Sequence, residues 1–95
     1  MYTISNLEED YKYTVSKPLK VIASFSDAGN IRPLYVEYEN CTVKINGVLK
    51  ISPMNDWGVK CVEFLCTYDL DGRYREIKIR YALSEHIWYL PVRNL

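Results

Sequence analysis

The sequence contains a single histidine, His86, and only two phenylalanines, and it carries no excess charge: twelve Lys+Arg balance twelve Asp+Glu. Zero net charge removes the long-range attraction to polyanions that a basic chain would have. No apolar run approaches the roughly 20 residues a membrane helix needs. The first ten residues hold three acids (Glu8, Glu9, Asp10) and no Lys or Arg, so a secretory n-region is lacking. The cysteines Cys41, Cys61 and Cys66 are odd in number and form no Cys-x-x-Cys. They cannot close a complete disulfide set, and with one histidine they offer too few soft ligands for zinc. The expectation is a soluble, cytoplasmic protein without membrane contact, metal or cofactor. Its thiols should be reduced, at least two of them packed as small hydrophobes.

What the chain does have is tyrosine, nine of them, which with two Trp and two Phe makes it 14% aromatic within a 48% hydrophobic composition. Tyr, Val and Ile favour pleated, half-buried strands, and here they fall in short alternating runs between turn residues. Ninety-five residues suit one domain. The reading is a single domain over 1–95, with an N-terminal segment 1–17 and an all-β core over 18–92. In the segment, Tyr11, Tyr13 and Val15 alternate like a strand, and Ser5 with Glu8 fits a capping box. Pro18 separates the segment from the first main strand.

Register can be tested against the apolar pattern, because a one-residue slip moves every side chain to the other face. Asp71-Gly72 suits the positive φ angles of a type I′ turn. A two-residue loop there pairs Leu70 with Arg73, Cys66 with Ile77, Phe64 with Ile79 and Val62 with Tyr81, placing the apolar residues on one face. The other face pairs Leu65 with Lys78 and Glu63 with Arg80. A loop over Asp27–Asn30 pairs Ala23 with Leu34, Val21 with Val36 and Leu19 with Tyr38, leaving Ile22 outward beside Tyr35. Turning at Glu39-Asn40 pairs Tyr38 with Cys41 and Val36 with Val43. Turning at Ser84-Glu85 pairs Tyr81 with Trp88, Ile79 with Leu90 and Ile77 with Val92.

Asn46-Gly47 suits another type I′ turn. However, Cys41, Val43, Ile45, Leu49 and Ile51 keep one inward parity through Gly47, with Val48 outward. That favours one long strand over 41–51 with a flexible or bulged point there. Ser52 to Trp57 reads as the irregular connection between two halves, since Pro53 cannot donate to a ladder. The predicted meander has strands near 19–26, 31–38, 41–51, 59–68, 73–82 and 86–92. Lacking a helix to cover its apolar face, it must fold on itself as a small SH3-like barrel or a two-layer sandwich.

Catalytic patterns are weak. There is no phosphate-cradling glycine loop and no Gly-x-Ser-x-Gly, and Asp69-Leu70-Asp71-Gly72 lacks the downstream acid of a calcium loop. Face matching points Cys66 and Cys41 inward and Cys61 outward, with His86 on the face opposite Cys61, against a Cys–His dyad. A non-enzymatic role is therefore expected. The constellation singled out is the outward face bearing Leu65, Tyr74, Lys78, Arg80 and Tyr89, where Arg80 can stack on Tyr89. Such an aromatic and cationic platform suits a protein partner, since Tyr and Arg are enriched at hot spots. The alternative is a single nucleic-acid strand, whose bases stack while phosphates meet Lys and Arg. Trp57, in a segment of polar residues, is a second binding candidate, and the edge near Ile22 is a candidate for homodimer pairing.

The runs Lys20-Val21-Ile22-Ala23-Ser24-Phe25, Gly29-Asn30-Ile31-Arg32-Pro33-Leu34 and Ile87-Trp88-Tyr89-Leu90 resemble those of small bacterial all-β proteins of the domain-of-unknown-function type. The resemblance implies an all-β fold and a bacterial, cytoplasmic setting. It carries no activity, partner or site residue with it.

Overall fold

The computed structural model describes residues 16–91. The expectations for Tyr11, Tyr13 and Val15, for the Ser5–Glu8 cap and for Val92 lie outside the described residues. The chain runs through β1 (Ser16–Pro18), β2 (Lys20–Phe25), β3 (Ile31–Tyr38), β4 (Cys41–Lys44), β5 (Gly47–Asp56), β6 (Val59–Leu70), β7 (Arg73–Ala82) and β8 (Ile87–Pro91). Three of its turns are two-residue loops with both φ angles positive: Glu39-Asn40, Trp57-Gly58 and Asp71-Gly72. That geometry matches the right-handed twist of the flanking strands, and glycine in the second place takes it without a Cβ clash.

The turn at Asp71-Gly72 sets the expected ladder. β6 pairs β7 from Leu70↔Arg73 to Cys61↔Ala82, with Cys66↔Ile77, Phe64↔Ile79 and Glu63↔Arg80 in register. Tyr38↔Cys41, Val36↔Val43 and Tyr81↔Trp88 are likewise as the turn residues dictate. The β2–β3 hairpin departs by one residue. Val21 faces Val36 and Ile22 faces Tyr35, but a bulge then sets Ala23 opposite Pro33 instead of Leu34. Leu34 is the extra residue, and the five-residue loop Ser26–Asn30 takes up the shift. Leu19 does not join Tyr38 in the ladder; its N–H donates to the Trp88 carbonyl at 3.0 Å.

The strands form two antiparallel sheets, β1-β8-β7-β6-β5 and β2-β3-β4. They pack as a two-layer sandwich and do not close into a barrel. Chain passes between the layers twice, at Leu19 between β1 and β2 and at Ile45-Asn46 between β4 and β5. At the second corner the Ile45 N–H donates to the Leu34 carbonyl of the small sheet at 2.8 Å. The next N–H, that of Asn46, donates to the Thr67 carbonyl of the large sheet at 2.8 Å. Corners of this kind let one strand serve both layers.

This crossing corrects the expected strand 41–51 and the expected connection Ser52 to Trp57. The sheet change lies at Ile45-Asn46, and Ser52–Asp56 continues β5 as a regular ladder with β6, Pro53 opposite Val62. Pro53 is tolerated because β5 is the edge of its sheet, where a missing N–H deprives no neighbour. The corner reverses the parity, so Val48, expected outward, lies opposite Cys66 and packs against the core while Leu49 is exposed. A bulge between Val48 and Lys50 then restores it, setting Ile51 opposite Phe64 on the expected face, although exposed on this edge strand. Cys41 is also exposed rather than inward. The expected Ile79–Leu90 pair is absent from the described β7–β8 ladder, which ends at Arg80↔Tyr89 as β8 turns its other edge to β1.

The core lies between the layers. Phe64, Cys66, Tyr68, Ile77, Ile79, Tyr81 and Trp88 of the large sheet meet Val36, Val43 and Ile45 of the small sheet or its corner. Trp88 packs against Tyr81 and Phe64, with ring centroids 4.8 Å and 5.5 Å apart. Among the described residues no helix is long and apolar enough to cross a membrane.

Candidate functional site

The singled-out face is the side of β6, β7 and β8 turned away from the core. Strand alternation puts Glu63, Leu65, Lys78, Arg80 and Tyr89 there, but their surroundings divide them into two groups. Arg80 and Tyr89 are withdrawn. The Arg80 side chain is only 12% exposed, its Nε donating to Glu63 Oε2 and its Nη1 to Asp56 Oδ2, both at 3.0 Å. Tyr89 is 9% exposed; its hydroxyl donates to the same Asp56 Oδ2 at 2.9 Å and stands 3.3 Å from Cys61 Sγ. Burial above all, then the hydrogen bonds to Cys61 and Asp56, pushes the phenol pKa well above its ordinary value. Burial alone would lower the Arg80 pKa, yet the hydrogen bonding of Glu63 and Tyr89 and the charges of Glu63 and Asp56 raise it. A guanidinium held by two carboxylates is not a free cation for a ligand.

Leu65, Lys78 and Tyr74 are the accessible group. Leu65 is half-buried and Lys78 exposed, paired across the ladder. Tyr74, near the β6–β7 tip, is 61% exposed, and its hydroxyl donates to Glu76 Oε2 at 2.8 Å. The outward face is thus charged and aromatic at its accessible end, and closed by a satisfied network at the other. That closed end shields a small second core of Cys61, Ala82 and Tyr89, with Met54 and Val59 packed on it.

Asp56 is the residue that sequence reasoning missed. It sits on β5 yet bonds Arg80 on β7 and Tyr89 on β8, two and three strands away in the sheet order. The available signal was the run Asn55-Asp56-Trp57-Gly58, in which Trp57-Gly58 makes the turn and Asp56 faces Val59. Asn55 Oδ1 accepts the Gly58 N–H at 2.9 Å, so both residues before the tip are tied down. Trp57, which follows them, is 60% exposed and left-handed, with φ 53°. For a bulky side chain that backbone costs about 1–2 kcal/mol.

Among the described residues His86 and Cys61 are not brought together. His86 Nδ1 lies 2.9 Å from the Tyr81 hydroxyl, on the core side, while Cys61 is on the outward side. Asp56 and Glu63 converge, but on Arg80. Among the described residues no three His, Cys, Asp or Glu side chains are placed to hold a metal. A groove of about 550 Å³ opens where β8 leaves β7, with Glu39, Glu76, Lys17, Lys78, Leu90 and Pro91 among its walls. Its walls are charged and apolar.

Burial also sorts the thiols. Cys61 and Cys66 are buried, and burial pushes the Cys66 pKa up to about 11, so its thiolate is scarce at neutral pH. The folded protein is expected to react with a thiol reagent at about pH 8 only at the exposed Cys41, and at all three cysteines once unfolded. Mass spectrometry of the labelled peptides checks this; equal labelling of Cys61 and Cys41 in the folded state would contradict it.

The chain matches no protein-family model, no curated protein and no solved structure.

Proposed function

We propose that the protein is a non-enzymatic binding module that recognises a protein partner through Trp57 and the accessible outward residues Leu65, Tyr74 and Lys78. The observation that carries the reading is Trp57: a large exposed indole held in a left-handed conformation on a turn that asparagine would form with less strain. A local rule broken at an exposed position, within an otherwise consistent hairpin, marks residues kept for a contact. Asn55 and Asp56 support it, because a contact residue on a fixed support loses less freedom on binding. Arg80 and Tyr89 then act as positioning residues, holding Asp56 and with it the tip. The same network weakens the alternative of a single nucleic-acid strand, since Arg80, the cation best placed to stack, is already neutralised by two carboxylates.

The test separates binding from folding. Trp57→Asn relieves the backbone and is expected to unfold at a temperature no lower than the native protein, while capture of partner proteins from the native cell extract is lost. Lys78→Glu is expected to reduce the same capture. An unchanged set of captured proteins from the Trp57→Asn, Lys78→Glu double variant rejects the reading.

A further inference from the structure

The opposite side of the sandwich carries a second set of exposed groups that the reading above does not use. On the outer face of β2-β3-β4, Ile22 is paired with Tyr35, and Tyr35 in turn with Lys44. Ile22 is 60% and Tyr35 40% exposed, so two large apolar side chains stand side by side in the middle of this face. Around them lie Lys20, paired with Glu37, and Arg32, paired with Ser24. The face therefore holds three cations, Lys20, Arg32 and Lys44, against one carboxylate, Glu37, and that carboxylate already bridges Lys20 at 3.5 Å. Among the described residues neither Arg32 nor Lys44 has an ion-pair partner. With strands about 4.8 Å apart and residues about 3.4 Å apart along a strand, both cations fall within roughly 10 Å of the Tyr35 backbone.

We infer that this face is a second docking surface, and that it takes an acidic protein segment with an apolar or aromatic centre. The charge pattern decides the occupant. A second copy docked face to face would set Lys20, Arg32 and Lys44 against their own kind, and like charges brought together across an interface are penalised. An acidic segment meets Arg32 and Lys44, which have no ion-pair partner among the described residues, while its apolar residues cover Ile22 and Tyr35. A nucleic-acid strand is less suited, because Glu37 lies among the cations and, among the described residues, Tyr35 is the only ring on the face. The large sheet's outward side lacks this balance, because Arg80 there is held by Asp56 and Glu63.

The probe is a random copolymer of glutamate and tyrosine, titrated calorimetrically into the full chain at low salt. A mixed-sequence single-stranded oligonucleotide is titrated in parallel. The copolymer is expected to bind. Arg32→Glu with Lys44→Glu should weaken it about tenfold, since each reversal both removes an attraction and adds a repulsion. Ile22→Thr, which keeps a β-branched residue in an exposed strand position, should weaken it less but measurably. Lys78→Glu, on the other sheet, should leave it unchanged, so this surface and the Trp57 surface succeed or fail separately. Near-UV circular dichroism of the buried Trp88–Tyr81 pair confirms that each variant is folded. The inference is overturned by failure of the copolymer to bind. It is equally overturned by unaltered affinity in the folded double reversal, by loss of binding in Lys78→Glu, or by tighter binding of the oligonucleotide.

Discussion

Phe64→Ala is expected to remove about 4 kcal/mol of stability, the largest loss from a single side chain in this fold. Phe64 is 1% exposed at the centre of β6, flanked in the ladder by Ile51 and Ile79 and packed on Trp88. Truncation gives up the transfer free energy of the ring and leaves a void, which can collapse only partially between two hydrogen-bonded sheets. For a domain of this size the loss corresponds to a midpoint lower by roughly 20 °C, and it takes a large share of a total of about 5–15 kcal/mol. Phe64→Leu keeps most of the volume and should cost no more than about 1.5 kcal/mol. Urea unfolding followed by tryptophan fluorescence measures both. A loss below that of Phe64→Leu would mean that the layers do not meet over Phe64.

That core was legible in the sequence because it depends on turn chemistry and parity alone. Asp71-Gly72 fixes the β6–β7 register, and once Leu70 faces Arg73 the inward positions of Phe64, Cys66, Ile77 and Ile79 follow without tertiary information. The Glu63–Arg80 pair was legible for the same reason. Parity fails where a strand changes layers: Val43 and Leu49 share a parity, yet the corner at Ile45-Asn46 stands between them and the second is exposed. Parity also gives a side chain's face without its cover. Tyr89 does point away from the main core, but its ring lies over Ala82 and Cys61, with Met54 and Val59 alongside, and is buried there. Asp56 was beyond reach for a third reason. Its partners come from β7 and β8, and no local pattern states how far a twisted sheet brings its edge strand toward them.

Arg80→Ala is expected to cost about 3 kcal/mol, more than an exposed salt bridge at 0–1 kcal/mol would suggest. The reason is what it leaves behind. Asp56 and Glu63 each lie 3.0 Å from a different guanidinium nitrogen, and their side chains are only 24% and 15% exposed. Without the cation, two half-buried carboxylates face each other and neither finds an equal partner. Neutralising both acids in the Arg80→Ala background, with Asp56→Asn and Glu63→Gln, should recover much of the loss, because the fault lies in uncompensated charge. Arg80→Lys should fall between native and Arg80→Ala, since one ammonium cannot reproduce two separately aimed N–H donors. Thermal unfolding of the four proteins at neutral pH gives the comparison. Equal stability of Arg80→Ala and the triple variant would show that packing, not charge, holds Arg80 in place. Because Asp56 anchors the turn that carries Trp57, folded Arg80→Ala should also bind Trp57-dependent partners more weakly, although no contact with the partner has been removed.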